Sequence, residues 1–338
     1  MKIICLSCLV IILTSSCSNL KTIKVSAIED MWFEYSPNQN INHGSSFKGE
    51  ILLQTYDGVQ HEISKNGKFS FISQHVEKHS KSNFTIVKNP TSFDDKLCIV
   101  TLTYRYKDEE FSTQDTIEMN FGGSLNILLN GADGAKGIDQ KNRGTPLLFR
   151  NGHNGDDGTH GDDGISAEDY IAHIWKDTSY VFVHLENELN HVVHKYKMTL
   201  GNSLHFDVSG GNGGDGGHGG NGGNGKNGQI KNDKIKEPGD AGNGGRGGDG
   251  GDGGDGGKMT ILLHTQCVDL EPRITHDSKG GYAGKEGMGG KAGKPGTPLS
   301  GQKEAREGSV GYYGNSGYKG HKGSVVQYLQ DFNISHYE

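Results

Sequence analysis

The sequence predicts a mostly β protein: an all-β sandwich in the N-terminal third, then a glycine-rich bundle of polyglycine II helices on a small β base, with little or no α-helix beyond a leader. Two observations carry this reading. Glycine falls at every third position in six runs, at 131–137, 152–164, 210–228, 239–257, 281–296 and 308–323. Before and between the runs lie short alternating or apolar segments bounded by turn residues, the pattern of strands. Composition agrees, because 338 residues with 55 glycines and 32% hydrophobic side chains cannot bury an ordinary core along the whole chain. Backbone hydrogen bonds must order the rest. The formal charge of -7, with no long basic stretch, argues against a nucleic-acid partner.

At the N-terminus, Met1 and Lys2 precede an apolar stretch from Ile3 to Leu13, followed by Thr14, Ser15, Ser16 and Cys17. That is the charged, apolar, small-residue order of an export signal, and the stretch is too short to span a bilayer. Small residues directly before a cysteine resemble the lipobox of bacterial lipoproteins, although Thr14 stands where leucine is usual. The resemblance implies removal of residues 1–16, acylation of Cys17 and a membrane partner reached through that lipid. With Ser18 in place of a retaining aspartate, it also implies the outer membrane of the cell envelope. The mature chain would keep Cys17, Cys98 and Cys267. This is no disulfide scaffold, and Cys98 and Cys267 are either paired or two buried thiols.

Residues 17–121 hold strand-like runs such as Ile51-Leu52-Leu53 before Asp57-Gly58, Phe69-Ser70-Phe71 after Asn66-Gly67, and Cys98 to Tyr106. The stretch from Ser36 to His61, with Pro37, Gly44-Ser45-Ser46 and Tyr56-Asp57-Gly58, resembles part of a bacterial immunoglobulin-like domain. The resemblance implies a spacer or a binding module.

Residues 122–330 are governed by the glycine runs. A three-residue glycine period fits a collagen triple helix or a bundle of polyglycine II helices. Only Pro295 lies inside a run, and proline-poor strands this short make a poor triple helix. Equal lengths on either side of a connector predict hairpins: 210–228 with 239–257, and 281–296 with 308–323. The third and fourth runs each carry a second glycine face, Gly211 to Gly223 and Gly244 to Gly256, so they belong in the centre. At about 3.1 Å per residue the longest pair would extend roughly 55 to 60 Å.

Strand-like segments at 124–129, 180–185, 195–200, 203–208, 259–264 and 324–329 form the base. The connectors 138–151, 229–238 and 297–307 gather at the far tip, and 331–338 is a tail. The pattern resembles the polyglycine II sandwiches of some phage tail-tip adhesins and small ice-binding proteins, a likeness specific for structure and not for function.

Candidate chemistry is sparse. His153, Asp156, Asp157, His160, Asp162 and Asp163 crowd one run, but a three-fold helix strings them along its axis, so no metal site and no cofactor is expected. Asp249, Asp252 and Asp255 repeat every third residue without the apolar ninth position of calcium-binding toxin repeats, and read as an acidic solvent face. His184, His191 and His194 lack a zinc-protease spacing. No grouping of titratable residues suggests an enzyme.

The expected function is therefore adhesion or recognition of a host or bacterial surface protein or glycan. The alternatives are a structural spacer or a trimeric collagen-like surface protein. Candidate binding residues are the tip cations Lys141, Arg143, Lys231, Lys234, Lys303 and Arg306. Tyr312, Tyr313 and Tyr318, with Tyr282, are candidate exposed aromatics.

Overall fold

A computed structural model describes residues 23–64, 69–87, 89–146, 150–231 and 234–337. The expected leader and the expected lipidation site, Cys17, lie outside the described residues. The protein is mostly β-sheet with very little helix, arranged in several sheets. The chain divides into two compact units: one holds residues up to 38, 47–84 and 97–117, the other 39–46, 85–96 and 118–338.

The first unit is antiparallel. Its strands are β1 (Ile28–Tyr35), β2 (Ser46–Thr55), β3 (Gln60–Glu62), β4 (Phe69–Ile72), β5 (Val76–Lys78), β6 (Asn83–Ile86), β7 (Leu97–Tyr106) and β8 (Glu109–Glu118). One sheet runs β1-β2-β6-β5 with β3 on β2, the other β4-β7-β8. Alternation along β2 buries Phe47, Ile51 and Leu53, and along β7 Cys98, Val100, Leu102 and Tyr104. Phe33 packs edge-on to Phe84 at 4.7 Å between ring centres. Gly49 is required there, since a Cβ would sit 2.2 Å from the Phe33 ring.

Among the described residues the second unit has ten strands: β9 (Leu125–Leu128), β10 (Tyr170–Lys176), β11 (Tyr180–Asn187), β12 (Val193–Thr199), β13 (Leu204–Asp207), β14 (Gln229–Lys231), β15 (Lys234–Lys236), β16 (Lys258–Leu263), β17 (Ile274–Asp277) and β18 (Ser324–Leu329). Its base is two sheets. Strands β17, β13 and β9 form a parallel sheet, and β10, β16 and β18 are parallel within a five-stranded sheet completed by the antiparallel β11 and β12. Leu125, Ile127, Leu204, Phe206, Ile174, Val183, Met259 and Ile261 belong to one buried core.

The turn at Gly201 (φ 85°) does not pair the strands on either side of it, because β12 and β13 lie in different sheets. Leu204 and Phe206 are thereby buried in that core. Strands β10 and β17 were not expected from the sequence. Cys98 and Cys267 are both buried and form no disulfide, and burial pushes the Cys267 thiol up to about 11.

Each glycine run continues a base strand. The first, third and fifth runs follow β9, β13 and β17, and the second, fourth and sixth lead into β10, β16 and β18. The unit is therefore three copies of strand, run, connector, run, strand. Parallel neighbours are joined by bonds such as Gly134 N–H to Asn212 O (2.7 Å), Gly213 to Tyr282 (2.8 Å), Gly158 to Arg246 (2.8 Å) and Gly250 to Asn315 (2.8 Å). Antiparallel neighbours are joined by Asp162 to Ala135 (2.9 Å), Gly214 to Asp162 (2.8 Å), Gly248 to Gly217 (2.8 Å), Gly287 to Gly248 (2.8 Å) and Gly314 to Gly287 (3.0 Å).

The runs thus form two parallel rows, odd and even, which donate to each other in antiparallel sense. The third and fourth runs hydrogen-bond to four others each, so two of their three columns must be glycine. A Cβ on Gly213 would lie 2.1 Å from Gly251 O, and one on Gly214 2.0 Å from Ala135 O.

Candidate binding surfaces of the glycine-rich unit

The third column of each inner run points outward, and its side chains do more than face water. Every glycine donates to a neighbouring backbone, which leaves the N–H of the outward residue to be satisfied. Along the third run it is met by side chains of the first run and of the connector residues that continue its pattern: Asp133 accepts from Asn212 N–H (2.7 Å), Asp139 from His218 (2.8 Å) and Asn142 from Asn221 (3.1 Å). The second run serves the fourth through Asn154, Asp157, His160 and Asp163, which accept from Asn243, Arg246, Asp249 and Asp252. The fourth serves the sixth through Asp249, Asp252 and Asp255, which accept from Asn315, Tyr318 and His321 at 2.6 to 2.7 Å.

These bonds revise one reading of the sequence: Asp249, Asp252 and Asp255 form a ladder of acceptors, not a merely solvated face. The ladder was visible as an outward column rich in Asp, Asn, Ser and His, residue types that carry an acceptor one or two bonds beyond Cβ.

Ladder and sheet share one register. Leu204 pairs with Leu125 in the sheet, and the ladder bonds from there to Asn221 keep that 79-residue separation. The same holds for β10 with β16 and its ladder at 89, for β13 with β17 at 70, and for β16 with β18 at 66.

Two carboxylates of the ladder are tuned by it. The backbone N–H of His218 holds Asp139 below the ordinary carboxylate range, and that of His321 does the same for Asp255. A depressed folded value gives stability that is complete above the unfolded value near 3.9 and is lost as pH falls through the folded value. The variant Asp139→Asn/Asp255→Asn keeps an acceptor oxygen and removes the proton. Its melting temperature, followed by circular dichroism from about pH 6 to about pH 3, is expected to fall less than that of the unmodified protein. An equal fall would mean that these carboxylates contribute nothing to acid sensitivity.

The connectors meet at the end of the runs away from the base sheets. Arg150 donates to the Glu237 and Asn227 carbonyls, Gln302 Nε2 to Lys236 O (3.0 Å), and Lys303 N–H to Glu237 Oε2 (3.2 Å). Lys231 and Lys234 are paired residues of the β14–β15 hairpin, whose Ile230 and Ile235 are each 66% exposed. Arg306 is held by its N–H on Asp240 (2.8 Å). Lys141 and Arg143 lie in the connector segment that continues the first run's hydrogen bonding, and the Arg143 guanidinium is bound to Asp156 (2.7 Å). Among the described residues, Arg143 is the expected tip cation that is matched by a carboxylate. The aromatics lie elsewhere. Tyr312, Tyr313 and Tyr318 are strongly exposed along the sixth run, and Tyr282 on the fifth lies under the Lys319 ammonium at 5.3 Å.

At the base, the C-terminal segment closes over β10 and β11. Tyr337 stacks on His173 with ring centres 4.0 Å apart and its hydroxyl meets His173 Nε2 at 2.9 Å. Burial, with His184 close by, pushes His173 down to about 4, so the ring is neutral near neutral pH. No protein-family model, curated protein or solved structure matches the chain.

Proposed function

We propose that this chain is a non-enzymatic lipoprotein of the bacterial cell envelope, anchored through Cys17, that presents a recognition tip on a polyglycine II lattice. In this reading the first unit is an immunoglobulin-like spacer. The glycine-rich unit is the display element, and adhesion to a surface protein or glycan is its role. The observation that carries the proposal is the interlocking of the three connectors at one end, through Arg150, Gln302 and Lys303. Loops tied to one another and to a hydrogen-bonded scaffold lose little freedom when a partner binds, which favours recognition over a passive end cap. A collagen-like trimer is the weaker reading, because the glycine N–H groups of the third and fourth runs already donate within one chain.

The test uses the mature chain without its lipid, labelled and titrated onto cells. Lys231→Gln/Lys234→Gln/Lys303→Gln/Arg306→Gln is expected to weaken attachment by about tenfold or more, with the unmodified protein showing marked salt dependence. Attachment unchanged in the variant would leave the spacer reading instead.

A further inference from the structure

The acceptor ladder has a break close to the tip. On the even row, Asn154 serves Asn243 (2.8 Å), Asn243 serves Ser309 (2.9 Å) and Asp157 serves Arg246 (2.6 Å). The next rung should join position 246 to Tyr312, but a guanidinium has no acceptor. Arg246 turns along its own run instead, to Asp249 Oδ1 at 2.7 Å. The missing rung leaves an open recess of about 550 Å³ across the second, fourth and sixth runs, lined by Asn154, Asp157, Asn243, Arg246, Ser309 and Tyr312. That volume lies within the range of small-molecule sites.

We propose that this recess binds one ring of a neutral sugar, laid face-on against Tyr312. The Tyr312 ring is 83% exposed, while its backbone is fixed by the bond from Gly247 N–H to Tyr312 O (2.8 Å). An exposed aromatic face on a fixed backbone matches the C–H face of a pyranose. Around it, the Asn154 and Asn243 amides, the Asp157 carboxylate and the Ser309 hydroxyl can donate to and accept from a ring of hydroxyl groups. The charges select against ions: Arg246 is paired with Asp249 and Asp156 with Arg143, so among the described lining residues there is no unmatched cation to hold an anionic glycan. The inference rests on the recognition reading and adds to the cationic tip a second contact, for a neutral sugar.

The experiment titrates the mature, lipid-free chain with neutral gluco-, manno- and galacto-oligosaccharides, and with polyuronate for comparison, by heteronuclear NMR. One neutral class is expected to bind saturably. Tyr312→Ala should weaken it by about tenfold or more, while Tyr282→Ala leaves it unchanged. Arg246→Asn supplies an acceptor for the Tyr312 N–H and fills the rung, so it should raise the melting temperature and abolish sugar binding together. Failure of every neutral oligosaccharide to bind, binding indifferent to Tyr312→Ala, or tighter binding of polyuronate would each overturn the proposal. Cell attachment separates the two readings. If it is lost in the tip variant yet kept in Tyr312→Ala, recognition stands and the sugar recess falls; if it is kept in both, neither survives.

Discussion

Replacing Gly248 by alanine is expected to destabilise the glycine-rich unit by about 3 kcal/mol or more. The added Cβ would lie 1.9 Å from the Thr159 carbonyl oxygen, a backbone atom of the neighbouring run that no rotamer change can move aside. Separating the two runs would stretch the bonds from Gly158 N–H to Arg246 O and from Gly161 N–H to Asp249 O, on either side of the contact. Gly144→Ala is the matched comparison, because nothing lies within 4 Å of its added Cβ and its φ is not positive. That substitution should change stability by less than about 1 kcal/mol, and in the stabilising direction if anything, since it restricts the unfolded chain. Urea unfolding of both variants decides the matter. Equal midpoints would mean that the columns do not depend on the absence of a side chain.

Phe206→Ala is expected to cost about 3 to 5 kcal/mol, the range for emptying the space of a buried phenylalanine. Phe206 is fully buried at the middle of β13, the central strand of its sheet, within the apolar core of the base. The third run begins three residues after β13, and its register is the register of that strand. Loss of the base should therefore release the ladder as well, and the two should melt in one transition. Tyr328→Ala on the edge strand β18, where the ring is 53% exposed, should cost much less. A Phe206→Ala protein whose base melts well before its glycine runs would show that the lattice stands without the sheets.

How much of this was legible beforehand depended on which atoms carried the information. Glycine columns could be counted directly, because a close approach of two backbones excludes every other residue type. The second glycine column at Gly211 to Gly223 gave the third run's place among its neighbours for the same reason. Strands β10 and β17 escaped notice. The segment Tyr170 to Lys176 shows no clean alternation, and Ile274 to Asp277 is four residues of which one is apolar. The parallel pairing of β9, β13 and β17 joins segments about 70 and 79 residues apart, which no local pattern encodes.

The ladder was missed for a subtler reason. Asp, Asn and His on an exposed column look identical whether they face water or accept a neighbour's N–H. Only the demand that each outward N–H find a partner distinguishes the two. The recess at Arg246 depends on that ladder, since a single arginine among acceptors is an ordinary surface residue until its neighbours' roles are known.

The register shared by sheet and ladder also governs how such a protein can change its reach over generations. Gaining or losing one or two codons within a run would turn every glycine beyond that point onto the wrong face. Only whole triplets preserve the pattern, each adding about 9 Å. A triplet added to one run without its antiparallel mate would strand backbone groups at the tip, so heritable length variation must come as paired events on both sides of a connector. The distance from base to tip is thereby quantised, and lineages can differ in it by steps but not by gradual drift.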